Sequence, residues 1–312
     1  MLGRWMKDEE LMKQVRSKLD ERGYHSRVVP ARCVRDLREE MEANHARGLL
    51  DESFYQERLT NFSFQPPDNL PDAESLIVVA APQPQVKVIF TWQGKSRPVT
   101  IPPTYAEMTD GIVESILSSV LNRGGYHAAR ASLPKKLLAV RSGLGEYGRN
   151  NICYVRGMGS FNRLVVFYTD LPCLEPDWRK PQMMERCREC RACIHSCPTE
   201  TIMADRFLVR AERCITFHNE RANEFPAWME PSWHNCLVGC LRCQLVCPEN
   251  AAFVDWVEGD TVFSEKETDL ILNSTSPDRF SSETAKKLDQ LGMLEYSEIL
   301  GRNLAVLLNR ER

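Results

Sequence analysis

The sequence predicts an α+β chain in three parts: a mixed domain over residues 1–180, a cysteine-rich module over 181–252 and a helical C-terminal segment over 253–312. Three observations carry that expectation. Strand-length apolar runs and amphipathic helical runs mix without the regular βαβ period of a parallel sheet. Nine of the twelve cysteines fall between Cys187 and Cys247. The stretch after Cys247 holds helical patterns and no cysteine.

Residues 6–22 read as an amphipathic helix, with Leu11, Met12, Val15 and Leu19 at helical spacing. SLIVVAA (Ser75 to Ala81) and VKVIFTW (Val86 to Trp92) read as strands. Two prolines then precede Thr104 and Glu107, an S/T-x-x-E capping box that predicts a helix from Tyr105 to Leu121. Its apolar stripe is Val113, Ile116, Leu117 and Val120, and stepping back from Val113 places Asp110 on the same face. Two readings fit that acid: a helix-start residue favoured by the dipole, or a carboxyl held beside a cavity to donate a proton. KLLAV (Lys136 to Val140) reads as a short strand and LVVFYTD (Leu164 to Asp170) as a buried one. SSETAKKLDQLG and YSEILGRNLAVLLNRER read as two closing helices.

GLGEYG, Gly143 to Gly148, has the G-x-G-x-x-G spacing of a dinucleotide-binding turn. That turn needs a helix after it, whose N–H groups cradle the pyrophosphate. RNNICYVRGMGSFNR comes next instead, with no helical period, and Ile152, Tyr154 and Val155 look like strand. The glycines therefore mark a sharp bend or a close approach, not a nicotinamide site.

With 312 residues, 43% of them apolar, the chain can bury cores for two domains. A net charge of −3 gives no global field for nucleic acid. The N-terminus is charged and lacks an apolar leader core, and no run of about 18 apolar residues occurs. A cytoplasmic protein with no membrane span is expected, and in that compartment clustered cysteines point to metal.

CRECRACIHSCP supplies Cys187, Cys190, Cys193 and Cys197, then Pro198: the C-x2-C-x2-C-x3-C-P run of bacterial iron–sulfur proteins. CLVGCLRCQLVCP supplies Cys236, Cys240, Cys243 and Cys247, then Pro248. Two runs of four, each closed by proline, fit two [4Fe–4S] clusters in a two-cluster ferredoxin-like module and fit paired zinc sites poorly. Crossed ligation gives one cluster Cys187, Cys190, Cys193 and Cys247. The other takes Cys197, Cys240, Cys243 and either Cys236 or Cys214, which spacing leaves open. Cys33, Cys153 and Cys173 read as packing thiols, and His195, His218 and His234 as packing or surface residues.

Taken together, PDAESLIVVA, TYAEMTD, SGLGEYGRNN, LVVFYTDLPCLEPD and the paired cysteine runs with RCITF between them resemble the epoxyqueuosine reductase family, relatives of the corrinoid-dependent reductive dehalogenases. The likeness spans residues 68–252. It implies a nitroreductase-like domain that binds cobalamin, with Gly143, Gly145, Gly148 and Asn150 in the corrinoid-facing loop. It implies Cys214 as the last cluster ligand and Asp110 as the acid. The implied reaction is a two-electron reduction of substrate over Co(I), fed by two [4Fe–4S] clusters and a donor such as ferredoxin or flavodoxin. The substrate would be a small molecule or a modified nucleoside, with tRNA as a possible carrier. The chain departs from the family pattern at Met108, at Gly111 to Val113, at Glu146 and in ASLPKKLLAV, all near the implied substrate pocket. A different class of function fits the same cysteines: a two-cluster electron-transfer protein without substrate chemistry of its own, which could reduce a partner's corrinoid. After anaerobic reconstitution the chain should hold about eight iron atoms, with matching sulfide. Stoichiometric zinc in their place would contradict this reading.

Overall fold

The computed structural model describes residues 2–105, 108–174 and 177–309. Glu107 lies outside them, and with it the capping box. Among the described residues the strands are β1 (His25–Pro30), β2 (Ser75–Pro82), β3 (Gln85–Trp92), β4 (Lys95–Ile101), β5 (Ala128–Arg130), β6 (Glu146–Tyr147), β7 (Cys153–Tyr154), β8 (Asn162–Thr169) and β9 (Val257–Phe263). The fold is mixed α+β, and no described helix is long and apolar enough to cross a membrane. Two compact units form, Met1–Pro82 with Thr109–Glu189, and Gln83–Met108 with Cys190–Arg312.

The first unit is built on an antiparallel sheet in the order β1-β2-β8-β5. Successive side chains on a strand point to opposite faces, and here both faces are covered. Leu76, Val78 and Ala80 of β2 pack with Leu137, Leu138 and Val140 on one side. Ile77 and Val79 pack on the other with Leu11, Val15 and Leu19 of the helix Leu2–Asp20 and Val113, Leu117 and Leu121 of the helix Met108–Gly124. This explains why SLIVVAA and LVVFY read as unbroken apolar runs. Each fully buried side chain of this size contributes about 1.5–3 kcal/mol.

KLLAV departs from the strand expectation: Lys135–Arg141 is a helix. A five-residue apolar run does not distinguish the two by period. Lysine, leucine, alanine and arginine are all strong helix formers, and the helix buries Leu137 to Val140. The predicted 105–121 helix is described from Met108 and runs on to Gly124. The N-terminal and two C-terminal helices and the strands at 75–81, 86–92 and 164–170 stand where the sequence places them, within a few residues at each end.

The second unit is not the self-contained 181–252 module of the sequence reading. Its sheet has the order β4-β3-β9, with β9 lying parallel to β3. The Phe90 and Phe263 rings stack at 4.9 Å and 7°. Leu237 and Val238 from the cysteine block share a core with Val88, Phe90 and Ile101 of the hairpin and with Ile299, Leu300 and Leu304 of the helix Ser297–Leu308. A short cysteine-rich segment has too little apolar surface to bury alone, so the hairpin at 85–101 and the C-terminal helices complete it. Phe263→Ala should destabilise this unit by about 3–5 kcal/mol, read from urea unfolding. A loss under about 1 kcal/mol would mean the stack is peripheral.

Candidate functional site

The glycine loop in the first unit starts as a helix ending. Gly143 takes φ +70, its N–H donates to Val140 O at 3.1 Å, and the Leu144 N–H donates to Ala139 O at 2.9 Å. That bond pair is a Schellman C-cap, which favours glycine because a side chain strains the left-handed conformation. A helix C-terminus presents carbonyls and a partial negative charge, the opposite of a phosphate cradle. Beyond the cap the chain enters the β6–β7 hairpin, not a helix. The dinucleotide reading therefore fails on both sides of the loop.

The remaining glycines are explained by the hairpin's own packing. A Cβ on Gly145 would stand 2.6 Å from Tyr154 O and 2.7 Å from Cys153 Sγ, and one on Gly148 would stand 2.5 Å from Asn150 Oδ1. Asn150 is buried, and its Nδ2 donates to the Tyr154 hydroxyl at 3.0 Å. Burial pushes the Cys153 thiol up to about 12, as befits a packing residue. Sequence reasoning missed Arg149, the next residue along. It is buried, and its Nε and Nη2 donate to Cys187 O at 3.0 and 2.7 Å. The glycine loop thus grips the backbone of the first cysteine of the first run. β6 adds to this, since Tyr147 N donates to Gln182 O and Met184 N to Tyr147 O, both at 2.9 Å. No spacing rule signals a side chain aimed at a carbonyl far along the chain.

Asp110 is buried, and Nε and Nη2 of Arg163 on β8 donate to its two oxygens, each at 2.8 Å. A bidentate pair of this kind is strong and directional. In this state both carboxylate oxygens are engaged by a guanidinium. A separate cleft of about 920 Å³ runs along the glycine loop, with Gly143, Leu144, Gly145 and Glu146 in one wall. Arg16, Arg27, Arg156, Arg179 and Lys180 line it against three carboxylates, Asp20, Glu146 and Asp177. Basic side chains outnumber acidic ones in this lining, where Arg179 is paired with Asp177.

In the second unit, the helices Ala192–Ser196 and Arg242–Leu245 pack together, carrying Cys193 and Cys243. Cys197 and Cys247 then leave their turns extended, at φ/ψ −82/107 and −76/124. The cause is local: Pro198 and Pro248 disfavour helical geometry in the residue before them. The last cysteine of each run therefore departs from its own turn, as crossed ligation needs. The Cys197 Sγ lies 3.5 Å from the Thr199 hydroxyl.

Burial pushes the Cys240 thiol up to about 12, the Arg242 backbone N–H draws it back, and the Cys214 and Cys197 sulfurs push it further. Burial likewise raises Cys214, its own-helix N–H groups lower it, and Cys197 raises it again. Cys197, Cys214 and Cys240 thus lie within electrostatic reach of one another, although Cys214 is far from either run. Cys236 is 1% exposed, and its sulfur adds to the influences on the buried Tyr105 hydroxyl, behind burial and Glu220. The donor set suits a cubane, which takes one thiolate at each iron. The histidines pack. His218 bonds Glu212 O at 2.8 Å and meets Trp228 edge-on, His234 packs against Phe225, and His195 is exposed.

The chain matches the family "4Fe-4S double cluster binding domain" over residues 186–250. It is 26% identical to the epoxyqueuosine reductase of Staphylococcus aureus over 69% of this chain and 58% of that protein. It is 37% identical to the Yersinia pestis epoxyqueuosine reductase over 38% of this chain and 28% of that one. The chain thus spans less than two thirds of either relative. Among solved structures, the epoxyqueuosine reductase from Streptococcus thermophilus superposes with a TM-score of 0.66 and 17% identity, over 95% of this chain and 80% of that one. An epoxyqueuosine reductase crystallised with an epoxyqueuosine-modified tRNA-Tyr stem loop gives 0.65 and 19%, over 98% and 81%. The chain thus carries a 4Fe-4S double cluster binding domain and is similar to epoxyqueuosine reductases in sequence and in fold.

Proposed function

We propose that the chain is an iron–sulfur reductase of epoxyqueuosine reductase type, holding two [4Fe–4S] clusters and a corrinoid. What supports this reading is the double-cluster domain over residues 186–250, together with the bond from Asn219 Nδ2, in the helix that follows Cys214, to Gly239 O beside Cys240 at 2.8 Å. The clusters would be held by Cys187, Cys190, Cys193 and Cys247, and by Cys197, Cys214, Cys240 and Cys243. The nitroreductase-like reading of the first unit gives the corrinoid the cleft beside Gly143 and Gly145. When bound, the clusters would deliver single electrons and the corrinoid a strongly reducing cobalt centre.

The chain's own residues do the rest. Arg149 fixes the backbone at Cys187. Asp110 carries the proton at Oδ1 or Oδ2 only once Arg163 releases that oxygen; until then the pair orients the start of its helix. The substrate class is a small electrophile, with a modified nucleoside foremost. Phosphates of an RNA carrying it would meet the cationic lining of the cleft. Of the positions that depart from the family pattern, Glu146 lines this cleft, whereas Val113 is enclosed in the core of the first unit. A low-potential carrier such as ferredoxin or flavodoxin is the expected donor, and the cytoplasm the expected location.

A second reading, the electron-transfer protein, is favoured by two observations: the glycine loop is filled by its own Tyr154 and Asn150, and Asp110 is closed by Arg163. Anaerobic titration of the reconstituted chain with cobalamin separates the two. Stoichiometric binding with a changed cobalt spectrum supports the reductase, and no binding leaves the carrier. Asp110→Asn should lower turnover by about 10²–10⁴-fold with iron content unchanged. It should also cost about 3 kcal/mol of stability through the broken buried pair. Unchanged turnover would remove Asp110 from the chemistry.

A further inference from the structure

The matched cluster domain ends at residue 250, yet what holds its ligand loops comes from beyond it. Asn303, on the helix Ser297–Leu308, is 1% exposed. Its Nδ2 donates to Asn219 O and to Leu237 O, both at 2.9 Å. Its Oδ1 accepts from Arg302 Nη2 at 2.9 Å, and the same Nη2 donates to His218 O at 2.9 Å. Asn219 is fully buried, and its Nδ2 donates to Gly239 O at 2.8 Å.

The two asparagines act in series. Asn219 and His218 end the short helix Ile215–Asn219 that begins at Cys214. Leu237 and Gly239 belong to the loop that ends at Cys240. On its far side that loop is fixed too, by Leu237 N donating to Thr100 O at 2.9 Å and by the Tyr105 ring beneath Gly239, where a Cβ would meet Tyr105 Cζ at 2.9 Å. Tyr105 closes the ring by donating to Glu220, directly after the Cys214 helix. Asn219 keeps its Oδ1 buried without a partner, so the position retains its amide for the donor alone.

We propose that Asn303 and Asn219 are positioning residues for the second cluster, holding the Cys214 helix and the Cys240 loop at the separation that one cubane requires. This rests on the reading that Cys197, Cys214, Cys240 and Cys243 hold that cluster. The helix carrying Asn303 is therefore part of the iron–sulfur machinery, although it supplies no ligand. Asn303→Asp keeps the shape and the acceptor for Arg302 but removes both donors, leaving two carbonyls facing a carboxylate.

The test reconstitutes the full chain and follows iron release to a chelator. In Asn303→Asp about half of the iron should leave at least about tenfold faster than in the parent, and the other half at the parent rate, because only one loop pair has lost its buried bonds. The magnetic coupling between the two reduced clusters should fade with the fast phase. Parent rates for both halves would overturn the proposal, and so would equal acceleration of both, which marks a general loss of fold. If Asn303→Asp does not accumulate as a folded chain, Asn219→Leu cuts only the bond to Gly239 and is judged by the same two rates. Two controls isolate the ligand reading. Cys214→Ser should fall from about eight to about four iron atoms while Cys236→Ser keeps about eight, and the reverse result refutes the ligand set whatever Asn303→Asp does.

Discussion

Thiolates that share a cluster must be held close together inside a protein, and as bare charges they repel. Burial makes this worse, since it disfavours the charged form of each sulfur. Burial raises the Cys240 thiol most, and the Cys214 and Cys197 sulfurs add to the rise. Iron resolves it by supplying the opposite charge, but only if the sulfurs already stand in place. Much of the second unit serves this requirement. The hairpin β3–β4, the strand β9 and the C-terminal helices bring no ligand, yet their core encloses Leu237 and Val238 beside the Cys240 loop. Two prolines turn Cys197 and Cys247 out of their own helical turns.

The first unit holds the backbone of Cys187. Its sheet is covered on both faces, and the helix Lys135–Arg141 packed on it ends in the Gly143 cap. From that cap the chain turns through the β6–β7 hairpin, and Arg149 reaches the carbonyl of Cys187. The same sheet anchors Asp110, because its partner Arg163 stands on β8. Protein chemistry in such a site is mostly positioning and proton supply around groups that carry the electrons. The acid and the loop both belong to this one unit.

Some of this was legible in the sequence and some was not. The cysteine runs are local and end in proline, so spacing alone announced the double-cluster domain. LVVFYTD announced a buried strand, and it lies in a sheet covered on both faces. Asp110 was placed on the buried face by stepping back along its helix, but its partner lies 53 residues away and no local rule names it. KLLAV was misread because length and period do not separate a short buried helix from a strand. The glycines pointed to a close approach, and the approaching groups turned out to be Tyr154 and Cys153 of the same hairpin. The domain limits were least legible. That β9 would pair with β3 across more than 160 residues is a property of two complementary faces, which a single pass along the chain does not compare.

The most direct test of this account is a crystal of the anaerobically reconstituted chain, with iron located by its anomalous scattering. The account predicts two separate four-iron groups, the second bonded to Cys197, Cys214, Cys240 and Cys243, with Cys236 still enclosed beside Tyr105. Iron bonded to Cys236, or single zinc ions in place of cubanes, would contradict it.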